Sequence, residues 1–296
     1  MGAGIVRGLP LRVWCFSLML AAGLLGLVAL YAMTTMQEAG VAAAAHVQRF
    51  LADHRNSKRV RVVGLGSSLL WAATPPGRYL DLPDIDWIRI TKRGGSIGHL
   101  HAVMDMLDHQ PPEIVVIDTN LLLPFSPDMF EEEMRYAFTH LAGAAAAPLM
   151  VRMGLPNPVA RPPSDQETSF PCEVMPPAVI HKQRALLAQQ SAAGNVAAMD
   201  TALINSLLRL SQRGVHIVIL ELSRSREFEQ ALAAAKQPWL QSLKAALPAG
   251  PTIRYLTSPV FEDPGLYCDG RHMNAAGARR FASWWTEQLQ HMAQGR

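Results

Sequence analysis

Hydrophobic positions follow three patterns along the chain, and each predicts a different kind of element. The first is an unbroken uncharged run from Val13 to Met33, VWCFSLMLAAGLLGLVALYAM. A helix of that length spans a hydrocarbon core about 30 Å thick. Arg7 and Arg12 precede the run and only Glu38 closely follows it, so the positive-inside bias puts the N-terminus in the cytoplasm and the remainder across the membrane. A cleaved signal peptide is the rival reading. Its apolar core would usually be shorter, and Leu30-Tyr31-Ala32 lacks the small residues that cleavage requires. The expected division is a cytoplasmic N-terminus at 1–12, a transmembrane anchor at 13–33, an Ala-rich helical stalk at 34–57 and one domain at 58–296.

The second pattern is a set of five short β-branched runs: Val60–Gly64, Trp87–Thr91, Glu113–Asp118, Val215–Glu221 and Ile253–Leu256. They are nearly continuous in apolar residues rather than alternating, which suits parallel strands covered on both faces. The third is a helical periodicity at 98–109, 195–213, 225–247 and 274–292. Strands alternating with helices predict an α/β fold, a three-layer α/β/α sandwich around a parallel sheet of about five strands. In the last helix Phe281, Trp284, Trp285, Leu289 and Met292 share one broad apolar face, read as core, with docking onto a membrane partner as the lesser use. An insertion at about 128–193 breaks the alternation. Residues 128–147 look helical, and the proline-rich stretch from Pro148 to Pro177 has little periodicity. It serves as a lid or partner-binding flap, or is a tolerated surface insertion.

Charge and cysteines narrow the setting. The net charge is only +3, and no Lys/Arg cluster marks a nucleic-acid face. Of the three cysteines, Cys15 falls in the membrane run, leaving Cys172 and Cys268 as the pair in the soluble part. In an oxidising compartment they could bridge; the alternative is two unrelated buried thiols.

Ligands of open parallel sheets bind beyond the carboxyl ends of the strands. There the sequence places Gly64-Leu65-Gly66-Ser67-Ser68-Leu69, then a glycine turn leading to Gly98-His99, then Asp118-Thr119-Asn120, and finally Cys268-Asp269-Gly270-Arg271-His272-Met273-Asn274. A serine hydroxyl needs a base to take its proton, and histidine titrates near the working pH. A carboxylate on the far ring nitrogen fixes the tautomer. Asp269 and His272, three residues apart, can supply both. Oxyanion donors are available from the backbone N–H groups of Ser68 and Gly98 and from the Asn120 amide. Each group also has a bland use: Ser67 and Ser68 as helix caps, Asn120 as a strand-end polar group, Asn274 as the cap of the last helix.

These residues, in this order, resemble the SGNH (GDSL-type) hydrolases and acyltransferases. The family's Gly-Asp-Ser-Leu is matched by Gly66-Ser67-Ser68-Leu69, its glycine turn by Gly98, its Gly-x-Asn-Asp by the Asn120 region, and its Asp-x-x-His by Asp269-Gly270-Arg271-His272, over residues 58 to 292. Ser67 stands where the family has Asp, so both serines are candidate nucleophiles; the motif frame selects Ser68. The third motif keeps only its Asn. With the N-terminal anchor, the architecture is similar to the D-alanine-transfer protein of teichoic-acid systems. It is also similar to the anchored partners of membrane-bound O-acyltransferases that acylate bacterial exopolysaccharides such as alginate or cellulose.

The resemblance implies a serine O-acyltransferase or acyl esterase of an envelope polysaccharide. Its domain would lie on the periplasmic side of the inner membrane. Its partners would be a glycan and a multi-span acyltransferase or polysaccharide synthase complex, with no cofactor or metal required. A catalytically silent scaffold that binds a glycan or a membrane partner is the alternative.

Two competing patterns fail on their own terms. Gly64-x-Gly66 suggests a dinucleotide loop, but the third glycine would fall at Leu69 and the second strand ends in Thr91-Lys92-Arg93 rather than an acid. His99, His101, Asp105, Asp108 and His109 could be taken for a metal cluster, but they lie mainly opposite Leu100, Val103, Met104 and Leu107 and read as a solvated face. Arg224 and Arg226, after the fourth strand, are candidates for an anionic glycan and are read as solvated.

Overall fold

The apolar runs become a five-stranded parallel sheet in a computed structural model, which describes residues 11–74, 82–91, 98–122, 152, 174–192 and 199–294. The chain divides into two units, Met1–Gln37 with Phe130–Arg161, and Glu38–Met129 with Pro162–Arg296. Of the first unit, helical residues 11–37 and Arg152 are described. Helix α1 runs from Leu11 to Asp53. Among the described residues no helix is long and apolar enough to cross a membrane; the side chains at several positions of 13–33 lie outside the description.

The second unit carries the sheet, whose strands are β1 (Val60–Gly66), β2 (Ile85–Thr91), β3 (Ile114–Asp118), β4 (His216–Glu221) and β5 (Ile253–Thr257). Their order is β2-β1-β3-β4-β5, with every neighbouring pair parallel. Each strand run found by pattern is therefore a strand. Helices connect them: α2 (Ser68–Ala73), α3 (Gly98–His109), α4 (Thr119–Leu122), α5 (Pro177–Ala192), α6 (Thr201–Gln212), α7 (Arg226–Ala246) and α8 (Ala275–Gln294).

Side chains alternate between the two faces of the sheet, and both faces are covered, which explains why the strands read as apolar throughout. Val63, Leu65, Val115, Ile117, Ile217 and Ile219 pack with the apolar sides of α3, α6 and α7. Val62, Ile114, Val116, Val218 and Leu220 pack on the other side with Leu70 of α2 and with Phe281, Trp285 and Leu289 of α8. Leu100, Val103, Met104 and Leu107 of α3 are fully buried, as their spacing predicts. On α8, Phe281, Trp285 and Leu289 are fully buried while Trp284 and Met292 pack at the margin.

Two expectations change. The segment expected as a stalk ends inside the fold, because Val47 and Leu51 of α1 are buried in the same core as α3 and the sheet. Within the insertion expected to be irregular, Pro177–Ala192 form a 16-residue helix that packs against α7. Pro177 suits a first helical position and the rest are mostly good helix formers, but α5 has no clear apolar stripe, so periodicity passes over it. The expected helix at 128–147 and most of the proline-rich stretch lie outside the described residues.

Trp285 is fully buried and stacks on Phe281 at 6.1 Å between ring centroids, with Trp87 edge-on at 5.8 Å. Trp285→Ala is expected to destabilise the domain by about 3–5 kcal/mol in urea unfolding; a loss below about 1 kcal/mol would mean that α8 is not part of the cooperative core.

Candidate active site

The strand order reverses direction at β1, with β2 to one side of it and β3 to the other. Open parallel sheets bind ligands in the crevice beyond the carboxyl ends of the strands at such a switch point. Ser67 and Ser68 follow β1, and Asp118 to Asn120 end and follow β3, so both motifs flank the crevice.

Ser67 is the N-cap of α2, its hydroxyl oxygen accepting from the Leu69 N–H at 3.2 Å. The same hydroxyl donates to Asp118 Oδ2 at 2.6 Å, and the Ser67 N–H donates to that oxygen at 3.2 Å. Ser67 is thereby committed to holding the β1 and β3 ends together. Ser68 is free of those duties. Its Oγ lies 2.8 Å from His272 Nε2 across 204 positions of sequence. The two serines differ in their partners: the Ser68 hydroxyl meets the imidazole and the Ser67 hydroxyl meets Asp118.

His272 Nδ1 lies 2.8 Å from Asp269 Oδ2. Burial alone would raise the Asp269 carboxyl, but the hydrogen bonds and charge of His272, with Arg271 beside it, hold it well below the usual carboxylate range. An ionised carboxylate only accepts, so Nδ1 carries the proton. In the neutral ring Nε2 is then the acceptor for the Ser68 hydroxyl. Asp269 is itself fixed by two backbone donors, the N–H groups of Arg271 at 2.9 Å and His272 at 2.8 Å, on its other oxygen.

The loop carrying this pair is built around Gly270, whose φ of +78° is left-handed. A Cβ there would also lie 2.3 Å from the Phe228 ring, so only glycine fits. The Gly270 carbonyl accepts from the Ser225 N–H at 2.9 Å, and the Cys268 N–H donates to the His272 carbonyl at 2.9 Å. Asn274 caps α8, its Oδ1 accepting from Ala276 and Gly277 N–H at 3.0 and 3.1 Å, as expected. Cys268 is disulfide-bonded and Cys15 is free. The expected partner Cys172 lies outside the described residues, but the neighbouring Met175 N–H donates to the Cys268 carbonyl at 2.8 Å.

The expected oxyanion donors are placed as follows. The N–H of Ser68 lies in the first turn of α2 and that of Gly98 in the first turn of α3, where backbone donors have no carbonyl within the helix to bond. The Asn120 amide is more constrained than expected. Its Nδ2 donates to Asp118 Oδ1 at 2.6 Å, and its Oδ1 accepts from Arg224. The other amide N–H has no hydrogen-bond partner among the described residues.

Sequence reasoning gave Asp118 no role of its own and read Arg224 as solvated. Asp118 is fully buried and accepts four hydrogen bonds, from Ser67 N–H and hydroxyl and from Asn120 N–H and amide. A carboxylate closing an otherwise apolar strand was the available signal. Arg224, expected to be solvated, is 6% exposed. Burial pushes its guanidinium below the usual value, opposed by the charges of Glu229 and Asp118. Arg226 is exposed as expected and pairs with Glu262 at 2.9 Å.

Three of the groups that could be taken for a metal cluster, His101, Asp108 and His109, are bonded to α6, its N-cap or their own helix. His101 meets Asp200 at 2.9 Å, Asp108 meets Arg209 at 2.7 Å, and His109 Nδ1 bonds the Asp105 carbonyl at 2.7 Å. The His99 side chain lies outside the described residues. Gly64 and Gly66 have steric reasons of their own, since a Cβ would lie 2.3 Å from Trp87 and from Leu70 respectively; no phosphate need be invoked.

Two stability predictions follow from this geometry. Because the folded-state Asp269 carboxyl is depressed below its ordinary 3.8, its contribution to stability is complete above that value and is lost as pH falls through the folded-state value. Asp269→Asn should therefore lose less stability than wild type between about pH 4 and pH 2, read by denaturant unfolding; parallel acid limbs would contradict it. Cys172→Ser and Cys268→Ser should each lower stability by about 2–4 kcal/mol, and an unchanged melting temperature in Cys172→Ser would rule out that pairing.

No protein-family model matches the sequence, and no curated protein matches it significantly.

Proposed function

We propose that this chain is an SGNH-type serine enzyme that moves an acyl group to or from a cell-envelope polysaccharide. The single observation that carries the proposal is the unbroken relay Ser68 Oγ to His272 Nε2 and His272 Nδ1 to Asp269 Oδ2, each step at 2.8 Å. It lies within the reach that proton transfer requires.

In the proposed cycle Ser68 Oγ attacks the acyl carbonyl carbon as its proton passes to His272 Nε2. The C–O π electrons move onto the oxygen, which the N–H groups of Ser68 and Gly98 and the free N–H of Asn120 stabilise. Collapse expels the leaving oxygen, which takes the proton from Nε2, and leaves an acyl ester on Ser68. A sugar hydroxyl (transfer) or water (hydrolysis) then gives its proton to Nε2 and attacks the ester. The second collapse returns that proton to Ser68 Oγ. Asp269 stays ionised throughout and stabilises the transient imidazolium.

The extracytoplasmic, inner-membrane setting is part of the proposal. The apolar run 13–33 has the length and flanking charges of an anchor. Its described side chains, such as Trp14, Phe16, Leu18, Met19, Leu20 and Leu27, are exposed, as lipid-facing residues would be. A disulfide at Cys268 fits an oxidising compartment. A polysaccharide acceptor and a multi-span acyltransferase partner rest on the architecture that the motifs and the anchor resemble.

Full-length protein in detergent should be labelled by a fluorophosphonate probe, with labelling abolished in Ser68→Ala and retained in Ser67→Ala if that variant folds. With an activated acetyl ester, Asp269→Asn should lower kcat by about 10³–10⁴-fold and Asn120→Ala by about 10²–10³-fold. Folded wild-type protein that resists the probe and leaves the ester intact would defeat the proposal and favour a binding scaffold.

A further inference from the structure

A planar carboxamide has four hydrogen-bonding directions, two at the carbonyl oxygen and two at the NH₂. In Asn120 both ends of the amide are held, the carbonyl oxygen by Arg224 and one N–H by Asp118. The backbone N–H of Asn120 is also held, by Asp118 Oδ1 at 2.9 Å. The amide plane cannot turn about its last torsion without breaking both side-chain bonds, so the remaining N–H has a single direction.

Arg224 is an expensive way to hold a neutral amide, because a buried guanidinium must be compensated. The structure supplies that compensation separately. Glu229 Oε1 accepts from the Arg224 N–H at 2.8 Å and lies 3.5 Å from its Nη1. Lys236, itself buried, bonds Glu229 Oε2 at 2.5 Å and Glu221 Oε1 at 2.6 Å. Two cations, Arg224 and Lys236, thus balance two carboxylates, Glu221 and Glu229. These ion pairs are complete without Asn120, yet the guanidinium still extends a donor to the Asn120 carbonyl. The Arg224 segment is also tied on both sides of the residue: Ser223 exchanges two hydrogen bonds of 2.7 Å with Ser258, and the Ser225 N–H donates to the Gly270 carbonyl. Arg224 is therefore fixed to the loop that carries Asp269 and His272.

We infer that Arg224 is a positioning residue for the oxyanion amide. It sets the direction of the free Asn120 N–H and, as a cationic donor on the amide carbonyl, polarises that N–H into a stronger donor. The inference rests on the serine acyl reading above and adds to it a residue that touches neither substrate nor nucleophile.

The test is a double-mutant cycle on full-length protein in detergent, measured with an activated acetyl ester. Arg224→Lys keeps the charge but not the planar fork. It should lower kcat by about 10–100-fold, within the range for one oxyanion donor, with KM changed less than about twofold. In the Asn120→Ala background the same substitution should cost nothing further, because the amide it positions is gone. A general loss of folding would not produce that silence. If Arg224→Lys does not fold, Glu229→Gln takes its place: Arg224 stays but loses its carboxylate, and the same absence of further loss beside Asn120→Ala is expected. Equal fold losses in both backgrounds, or an unchanged kcat in Arg224→Lys, would overturn the inference. Ser68→Ala separates the two levels. Full activity there defeats the acyl reading itself, whereas a dead Ser68→Ala with additive Arg224 losses defeats this inference alone.

Discussion

One contact organises the molecule: the Ser68 hydroxyl against the His272 imidazole, 204 positions apart. It joins the end of the first strand to the loop before the last helix, and the sheet running unbroken from β1 through β3 and β4 to β5 makes it possible. Leu70 of α2 and Phe281 and Trp285 of α8 are buried in one cluster on the same face of the sheet. The packing that brings the two helices together therefore also brings serine and histidine together. Core and chemistry share one cause, the apolar stripe of α8 seeking cover against α2 and the strands.

Around that contact the two carboxylates, Asp118 and Asp269, are each given several donors, which matters because an unpaired buried polar group is costly. Asp118 has no exposed surface and four donors. Asp269 has two backbone donors on one oxygen and the imidazole on the other. The consequence is rigidity. Ser67 is immobilised by Asp118, the Asp269 carboxylate is anchored to its own loop, and Asn120 is held from two sides. For the acyl chemistry proposed above, dipoles already in place before the reaction begins would favour charge that exists only transiently.

The four cations and anions of Arg224, Lys236, Glu221 and Glu229 extend this order away from the crevice. They connect the end of β4 and α7 to the strand-end amide at β3. A buried ion network is weak evidence for added stability. Its geometric effect is firmer: it orients a guanidinium that would otherwise sample many rotamers.

Much of this was legible before any coordinates. Five strands, the helices α3, α7 and α8, the burial of Leu100, Val103, Met104 and Leu107, and the capping role of Asn274 all follow from periodicity and local propensity, which act over a few residues. The Asp269–His272 pair was legible too, since the two lie in one loop. What tertiary structure alone decided involves partners far apart in the chain. Ser68 rather than Ser67 faces the imidazole because Asp118, from another strand, captures Ser67. Arg224 is buried rather than solvated because Glu229 and Asn120 come to it. The last turns of α1 are core because the sheet and α3 supply a surface for Val47 and Leu51. Local pattern records which face of an element is apolar, but the identity of the group opposite depends on chain closure over tens to hundreds of residues, and no short-range pattern carries that.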